Sequence, residues 1–412
     1  MPQDMCPPGM FMGRIPELKA FEQCLFQTLN DSPQHFLIEG ERGIGKSSLL
    51  FYMELLSRGE VKGIESDGGF KFICVSIDLA SCTHELQIIQ KIARDLKRQL
   101  IRNADLKAAC KGILDFMAKW EVMQVKFNRG PVNVDADVAL QELVYQISSL
   151  CKNTMNLDGL LILMDEADSP PASANLGSML KMFQERLTRE QCRNVMIGIA
   201  GLPTLLPKLT ESHESSPRLF QIVTLEPLEP AERDAVIQMG LDRANKKNPV
   251  LVGIEPDAMD YIREMSEGYP HFLQQFAHSA FAANSDETID VGDVMNGAFG
   301  ENGAFDQLGQ KFFSEKYNIL ISTDEYRTVL DAMSTYGDKW LRKKDIVEIS
   351  GVKEGTVTNA LKALKKREIV VHDATRQGFY RLPTKSFAAW INASKRRKRE
   401  TVYPSKEELS TT

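Results

Sequence analysis

Residues 40–47 read G-E-R-G-I-G-K-S, and this segment restricts the fold more than any other part of the chain. Its glycines, lysine and serine match the GxxxxGK[ST] pattern of a phosphate-binding loop. The apolar residues 35–38 before it predict a buried strand, and the amphipathic residues 47–58 predict a helix. In that setting, backbone N–H groups and the helix N-terminus face the same anion. The segment therefore predicts a parallel α/β fold that binds a nucleotide.

The loop residues have distinct expected roles. Lys46 is expected to reach the β- and γ-phosphates of ATP, and the Ser47 hydroxyl is expected to ligate Mg²⁺. The other residues would surround the phosphates with their backbone N–H groups. The candidate nucleotide-binding residues of this segment are Gly40, Glu41, Arg42, Gly43, Ile44, Gly45, Lys46, Ser47 and Ser48.

A second motif follows an all-apolar run at residues 160–164, which is typical of a central parallel strand covered on both faces. The run ends in Asp165 and Glu166. Alone, this pair could be two solvated acids at a strand end. Beside a phosphate loop, Asp165 is expected to hold the magnesium ion and Glu166 to act as the catalytic base on a water molecule. The two motifs together predict hydrolysis as well as binding.

Length and composition indicate a globular protein with more than one domain. A chain of 412 residues can bury two or three separate cores. No stretch approaches the roughly 20 apolar residues that a bilayer requires, and residues 1–13 lack the pattern of a signal peptide. The seven cysteines contain no CxxC pair, which argues against structural zinc. A reduced cytoplasmic location, away from membranes, is expected.

Charge is distributed unevenly along the chain. Residues 339–399 contain 17 Lys and Arg against 5 Asp and Glu, whereas the rest of the chain contains 33 against 51. An acidic body with a basic C-terminal module indicates a polyanionic partner at that end. Nucleic acid is the first candidate.

The first predicted domain covers residues 11–228 and alternates strands with helices, as a doubly wound parallel sheet requires. Helices are predicted at residues 84–101 and 137–151. An additional helix at 104–127 could pack on the core or form a partner surface. Five strands are predicted, at residues 35–38, 70–79, 158–165, 194–200 and 221–225.

Two smaller domains are predicted to follow. Residues 229–300 form a helical lid, with helices that include 255–267 and 271–283. Residues 323–392 read as a winged helix-turn-helix. This module has helices at 324–336, 344–349 and 354–368, then a hairpin between residues 369–371 and 379–382. Residues 393–412 are expected to be a basic, disordered tail.

The third helix of the winged module is expected to enter the major groove of DNA, with the hairpin against the backbone. Asparagine can pair with adenine, threonine can contact thymine or phosphate, and lysine and arginine neutralise phosphates. Winged helices also dock proteins or gate nucleotides, so a protein partner is an alternative. The candidate DNA-binding residues are Lys343, Lys344, Thr356, Thr358, Asn359, Lys362, Lys365, Lys366 and Arg376.

A third motif, F-M-G-R-I-P-E-L at residues 11–18, precedes the phosphate loop. With it, the chain resembles the AAA+ and STAND ATPases, in which such a box helps to seat adenine. The resemblance implies that Gly13 and Arg14 contact the nucleotide. The order of box, phosphate loop, D-E strand, helical lid and winged helix is similar to that of the origin-recognition family of initiator ATPases. It is also similar to archaeal and bacterial STAND ATPases.

The chain departs from the initiator pattern at two positions. The fourth strand ends in Ile199-Ala200-Gly201-Leu202-Pro203, with no polar sensor side chain before Thr204. The lid reads Gly268-Tyr269-Pro270-His271, so His271 stands where the family implies an arginine on the γ-phosphate.

Arg218, just before the fifth strand, is similar in place to an arginine finger. Such a finger completes the site of a neighbouring copy, which implies a homo-oligomer. The alternative is an ordinary surface arginine.

Two functions are compatible with these features. The first is a DNA-binding ATPase whose nucleotide state controls oligomer assembly on duplex DNA, for replication initiation, mobile elements or defence. The second is a STAND-type signalling switch in which the winged helix gates the nucleotide and binds a protein effector.

Overall fold

The computed structural model describes residues 11–65, 69–102, 135–153, 157–314, 317, 321, 323–367, 369–373 and 376–402. The chain divides into two compact units, Met1–Glu226 and Pro227–Thr412. Among the described helices, none combines the length and the apolar character that a membrane crossing requires. The helix predicted at residues 104–127 lies outside the described residues.

A five-stranded parallel sheet forms the centre of the first unit, and this confirms the predicted fold class. Its spatial order is β2-β3-β4-β1-β5. The central strands β3 and β4 are buried almost along their whole length, as their apolar runs predict. The strands are β1 His35–Glu39, β2 Phe72–Asp78, β3 Gly159–Asp165, β4 Val195–Gly201 and β5 Phe220–Thr224.

Six α-helices of this unit lie in the described part of the chain. Helix α3 carries a continuous apolar stripe that packs into the core with the strands. Short 3-10 turns occur at Ala172–Ala174 and Ser216–Leu219. The helices are α1 Ile15–Leu29, α2 Lys46–Ser57, α3 Glu85–Arg102, α4 Ala136–Asn153, α5 Leu176–Arg189 and α6 Leu205–Ser212.

Strand β2 is an edge strand, and helix α3 protects it. The Asp95 carboxylate of α3 accepts a hydrogen bond from the backbone N–H of Ser76 at 3.0 Å. Asp95 is only 7% exposed and also pairs with Arg98. A side chain thus satisfies a donor that would otherwise be open to another strand.

The first half of the second unit is helical, as predicted for the lid. A capping box of Glu229 and Glu232 starts α7. The two-residue strands β6 and β7 pair in parallel and were not predicted. The elements are α7 Pro230–Asn245, β6 Gly253–Ile254, α8 Pro256–Ser266, α9 Pro270–Ala283, β7 Thr288–Ile289, α10 Val291–Phe299 and α11 Ala304–Leu308, followed by a π-helical turn at Gly309–Phe313.

The second half has the order of a winged helix, with a three-stranded sheet β8-β10-β9. Strand β8 was not predicted, because two residues cannot show alternation. Gly351, with φ of 66°, makes the left-handed turn between α13 and α14. The elements are α12 Asp324–Ser334, β8 Leu341–Arg342, α13 Lys343–Ser350, α14 Glu354–Lys366, β9 Val371–His372, β10 Phe379–Arg381 and α15 Lys385–Val402.

The expectation of disorder from residue 393 is wrong for residues 393–402, which continue α15. Lysine and arginine are good helix formers, and the helix is anchored by the buried Phe387, Trp390 and Ile391. Residues 403–412 lie outside the described part of the chain.

Lid helices and winged helix share one hydrophobic core within the second unit. The Phe313 ring lies 5.3 Å from that of Phe387 and 5.7 Å from that of Trp390. A Cβ at Gly309 would come within 2.0 Å of the Trp390 indole nitrogen, so only glycine fits there. The Glu267 carboxylate also accepts the backbone N–H of Ser386 at 2.6 Å.

Candidate nucleotide site and nucleic-acid interface

The phosphate loop has the predicted setting between β1 and α2. Gly43 and Gly45 adopt φ of 83° and 103°, which side-chain-bearing residues rarely adopt. A Cβ at Gly40 would approach the Ile44 side chain to 2.8 Å. The three glycines therefore permit a backbone path that other residues would block.

Lys46 is held within this loop by the loop's own backbone. Its ammonium group donates to the carbonyl oxygens of Gly40 and Glu41 at 2.8 and 3.0 Å. Burial lowers the pKa of Lys46, and nearby acids, Glu166 foremost, oppose that effect. The Lys46 ammonium group therefore lies where an anion bound in the loop would contact it.

Arg14 precedes the phosphate loop in the sequence and contacts it in the fold. Gly13 and Arg14 both have positive φ, 76° and 61°, and Arg14 is buried. The guanidinium donates to the Ile44 carbonyl oxygen at 3.1 Å and pairs with Glu17 at 3.2 Å. Arg14 therefore fixes the shape of the loop, and its predicted contact with adenine stays a prediction.

Acidic side chains gather at the carboxyl edge of the sheet. Asp165 ends β3 and lies in register with Asp78 at the end of β2. One oxygen of Asp165 accepts the backbone N–H of Glu166 at 2.8 Å. Glu166 has φ of 51°, a conformation that costs roughly 1–3 kcal/mol and concentrates at functional sites.

The environment of Glu166 favours proton uptake by its carboxylate. Partial desolvation raises the pKa of Glu166, and the charges of Asp165 and Asp168 raise it further, while Lys46 opposes them. A carboxylate with a raised pKa is a stronger base toward a water molecule.

Ser47 and Asp165 fit a magnesium ion because both are half-buried and offer the hard oxygen ligands that this ion prefers. Among the described residues, no group of three or more metal-binding side chains occurs. Phosphate oxygens and water would complete the coordination. A bound Mg²⁺ would supply positive charge to the phosphates.

Asp168 joins this edge, although the sequence analysis did not select it. It is 7% exposed, and its carboxylate accepts the backbone N–H of Leu202 at 2.9 Å. Its charge raises the pKa of both Lys46 and Glu166. The sequence signal was its place three residues after Asp165, but the partner at the end of β4 was not foreseeable.

Arg218 lies at the amino end of the parallel strands, whereas the phosphate loop lies at their carboxyl end. It is exposed on the 3-10 turn before β5, and the five residues of β5 span about 17 Å. Arg218 therefore lies too far away to touch the phosphate loop of its own chain. Its action on a neighbouring copy stays a prediction.

His271 belongs to the second unit, near the start of α9. Its ring lies 4.9 Å from that of Phe312 in the π-helical turn. Gly268, three residues earlier, has φ of 81°, and a Cβ there would approach the Leu228 carbonyl oxygen to 2.7 Å. The predicted nucleotide contact of His271 stays a prediction.

Thr204 precedes α6, and its side chain makes no hydrogen bond that caps this helix.

Helix α14 has the two faces that the sequence predicts. Val357, Ala360, Leu361 and Leu364 are buried, and Thr356 is half-buried. The candidate DNA contacts exposed on the other face are Thr358, Asn359, Lys362, Lys365 and Lys366. Lys344 on α13 is also exposed.

Two of the candidates contact Glu354 within the module. The Lys343 ammonium pairs with Glu354 at 2.9 Å, and this contact lowers the pKa of Glu354. The Thr358 hydroxyl donates to the Glu354 backbone carbonyl at 2.9 Å.

Arginines stack on aromatic rings around the wing. Arg376 pairs with Asp373 at 2.6 Å and lies 4.7 Å from the centre of the Phe379 ring. Arg342 lies 5.5 Å from the same ring, and Arg381 lies 5.1 Å from that of Trp340. Arg342, Arg381 and Trp340 were not predicted, because they come together only through strand β8.

The fold matches that of a solved archaeal ORC2 protein. It superposes on the Aeropyrum pernix ORC2 protein in its ADPNP-ADP complexes over 94% of each chain, with a TM-score of 0.53 and 15% sequence identity. The ADP form of that protein covers 97% of each chain, with a TM-score of 0.52 and 15% identity. The predicted resemblance to origin-recognition ATPases is thus confirmed at the level of fold.

Sequence comparison adds one relative. The chain is 25% identical over 245 residues to an uncharacterized HTH-type transcriptional regulator of Methanocaldococcus jannaschii. The match covers 57% of this chain and 54% of the relative, so the chain spans about half the length of the curated protein it matches. No family model matches the chain.

Proposed function

We propose that this protein is an ATPase that binds duplex DNA, and that its nucleotide state controls how copies of the chain assemble there. The observation that carries the proposal is the meeting of Lys46, Glu166 and Asp165 at one edge of the sheet. Burial lowers the pKa of Lys46, and Glu166 is foremost among the acids that raise it.

In the proposed reaction, the phosphate loop and Lys46 bind the triphosphate, and Ser47 and Asp165 would hold Mg²⁺. Glu166 takes a proton from the attacking water. The ADPNP and ADP complexes of the Aeropyrum ORC2 protein support adenine nucleotides as ligands of this fold.

The proposed DNA interface is the exposed face of α14 with the wing. Asn359 and Lys362 face solvent on the helix, and Arg376 lies on the wing. A matched relative described as an HTH-type regulator supports nucleic acid as the partner. Guanidinium groups stacked on Trp340 and Phe379 keep fewer conformations, so binding a phosphate would restrict them less.

Two ion pairs favour a second candidate function. Lys343 and Arg376 are neutralised by Glu354 and Asp373, which weakens the local attraction for phosphate. A winged helix with such internal pairs suits a protein effector, as in a STAND-type switch.

The test is fluorescence anisotropy with a labelled random duplex, with ATP, ADP or no nucleotide, over a series of KCl concentrations. We expect log affinity to fall linearly with log salt, because bound counterions are released. Addition of ATP should change the affinity of the wild type but not that of Lys46→Ala. Absence of binding at low salt, with ATP-dependent assembly intact, would contradict DNA as the partner and support the effector switch.

A further inference from the structure

The end of β4 has an acidic group beside it that β4 itself does not supply. Gly201 and Leu202 carry no polar side chain, whereas the Asp168 carboxylate from the turn after β3 lies against both. A Cβ at Gly201 would come within 2.7 Å of the Asp168 Oδ1 atom. The carboxylate therefore occupies the space into which a side chain at position 201 would project.

We propose that Asp168 is a positioning residue for ATP hydrolysis, because it anchors the turn that carries Glu166 to the end of β4. This inference rests on the proposed ATPase function. Asp168 would act on the reaction by holding Glu166 in place, without touching the nucleotide.

The turn is short and closed, so its residues move together. The backbone N–H of Ser169 donates to the Glu166 carbonyl oxygen at 3.0 Å. Asp168 lies inside that turn and accepts the Leu202 N–H at 2.9 Å. The Ala167 N–H donates to the Ala200 carbonyl oxygen at 2.9 Å, which makes a second tie to β4. A charged acceptor makes the Asp168 bond the stronger kind.

The end of β4 is also tied to the phosphate loop. The backbone N–H of Gly40, the first residue of the loop, donates to the Gly201 carbonyl oxygen at 3.3 Å. Glu166 is thus placed relative to the loop through Asp168 and the end of β4. Since a 1 Å displacement of a reacting group can cost about 100-fold in rate, loss of this anchor should reduce kcat.

The experiment compares Asp168→Ala and Asp168→Asn in the full chain by kcat, ATP dissociation constant and thermal unfolding. We expect Asp168→Ala to lower kcat by about 10-fold or more, with the ATP dissociation constant within about threefold. Asparagine retains an oxygen that accepts the Leu202 N–H, so Asp168→Asn should keep most of kcat. Gly201→Ala, which crowds the carboxylate, should reproduce the loss if Asp168→Ala does not fold.

Asp95→Ala is the matched control. Asp95 is equally buried and also accepts a backbone N–H of a strand, but from β2. It should lower the unfolding temperature and leave kcat unchanged. Equal effects of the Asp95 and Asp168 variants on kcat, or an Asp168→Asn variant as slow as alanine, would overturn the inference. A wild type without turnover would contradict the proposed ATPase itself, and this inference with it.

Discussion

Lys46 and Glu166 are expected to separate nucleotide binding from turnover. Lys46→Ala removes the ammonium group held between the Gly40 and Glu41 carbonyl oxygens, and should abolish ATP binding measured by calorimetry. Glu166→Gln keeps the shape of the side chain but not its basicity. It should retain ATP and lose turnover by about 100-fold or more.

Lys91 provides a control at the same edge of the sheet. Its ammonium also bonds to backbone, at the Asp78 carbonyl oxygen, and to the Ser81 hydroxyl at 3.0 Å. Lys91→Ala should bind ATP normally. Equal loss of binding in the Lys46 and Glu166 variants would refute the division of roles.

His35 should make stability depend on pH. Its Nδ1 atom accepts a hydrogen bond from the backbone N–H of Ile197 at 3.1 Å. The ring proton therefore lies on Nε2, which donates to the side-chain oxygen of Gln184 at 2.8 Å. Burial lowers the pKa of His35 from its ordinary 6.5. Below about pH 6.5 the unfolded chain then binds more protons than the folded one. The free energy of unfolding should therefore decrease as the pH is lowered.

Urea unfolding at pH 7.5, 6.5 and 5.5 measures this effect. The wild type should lose stability between pH 6.5 and 5.5 beyond what His35→Gln loses over the same interval. Identical slopes would show that His35 does not titrate in this range.

Single residues were predictable where the chemistry is local. The eight loop residues and the Asp165-Glu166 pair follow from contiguous patterns with one physical use. The bond from Arg14 to Ile44, and that from Leu202 to Asp168, cross between elements distant in sequence. No local pattern contains them.

At the scale of elements, α14 is expected to carry sequence-independent DNA affinity. Replacing Lys362, Lys365 and Lys366 by alanine should weaken binding to any duplex and reduce the salt slope by about 2–3. ATPase activity measured without DNA should stay unchanged, since these side chains face solvent in the second unit.

A triple variant at the exposed Lys62, Lys71 and Lys152 of the first unit removes the same charge. It should leave the salt slope nearly unchanged. A slope reduced equally by both triple variants would indicate attraction to net charge, with no defined interface on α14.

The strands of the parallel sheet and of the wing hairpin were predicted, whereas three other short strands were not. The five strands of the parallel sheet were visible because they are apolar runs, whereas β6, β7 and β8 have two residues each. The helix through residue 402 was missed because a run of five basic residues was interpreted by charge alone. Three aromatic and aliphatic anchors earlier in α15 support that run.

At the scale of the whole molecule, Arg218 tests assembly. Because it lies across the sheet from its own loop, Arg218→Ala should preserve ATP binding and lower turnover by about 1,000-fold if copies complete each other's sites. Mixing Arg218→Ala with Lys46→Ala should restore part of the activity, since each variant keeps what the other lacks.

Arg193, exposed just before β4, is the matched control. Arg193→Ala should hydrolyse ATP like the wild type. No recovery on mixing, at concentrations where sedimentation shows assembly, would contradict the role of Arg218 on a neighbouring copy.

The division into two units could not be derived from composition. Residues 301–322 lie between the predicted lid and the predicted winged helix, and Phe305, Phe312 and Phe313 pack with aromatic residues of the lid and of α15. Such packing depends on three-dimensional neighbours. The separate functions predicted for the lid, the winged helix and the ATPase domain stay predictions.

The contacts of Trp390 and Phe387 with Gly309 and Phe313 also decide where the gene can be divided for expression. A fragment that starts at residue 323 would present these two large rings to water and should be recovered from inclusion bodies. One that starts at Pro227 retains Gly309 and Phe313 and should be purified in soluble form.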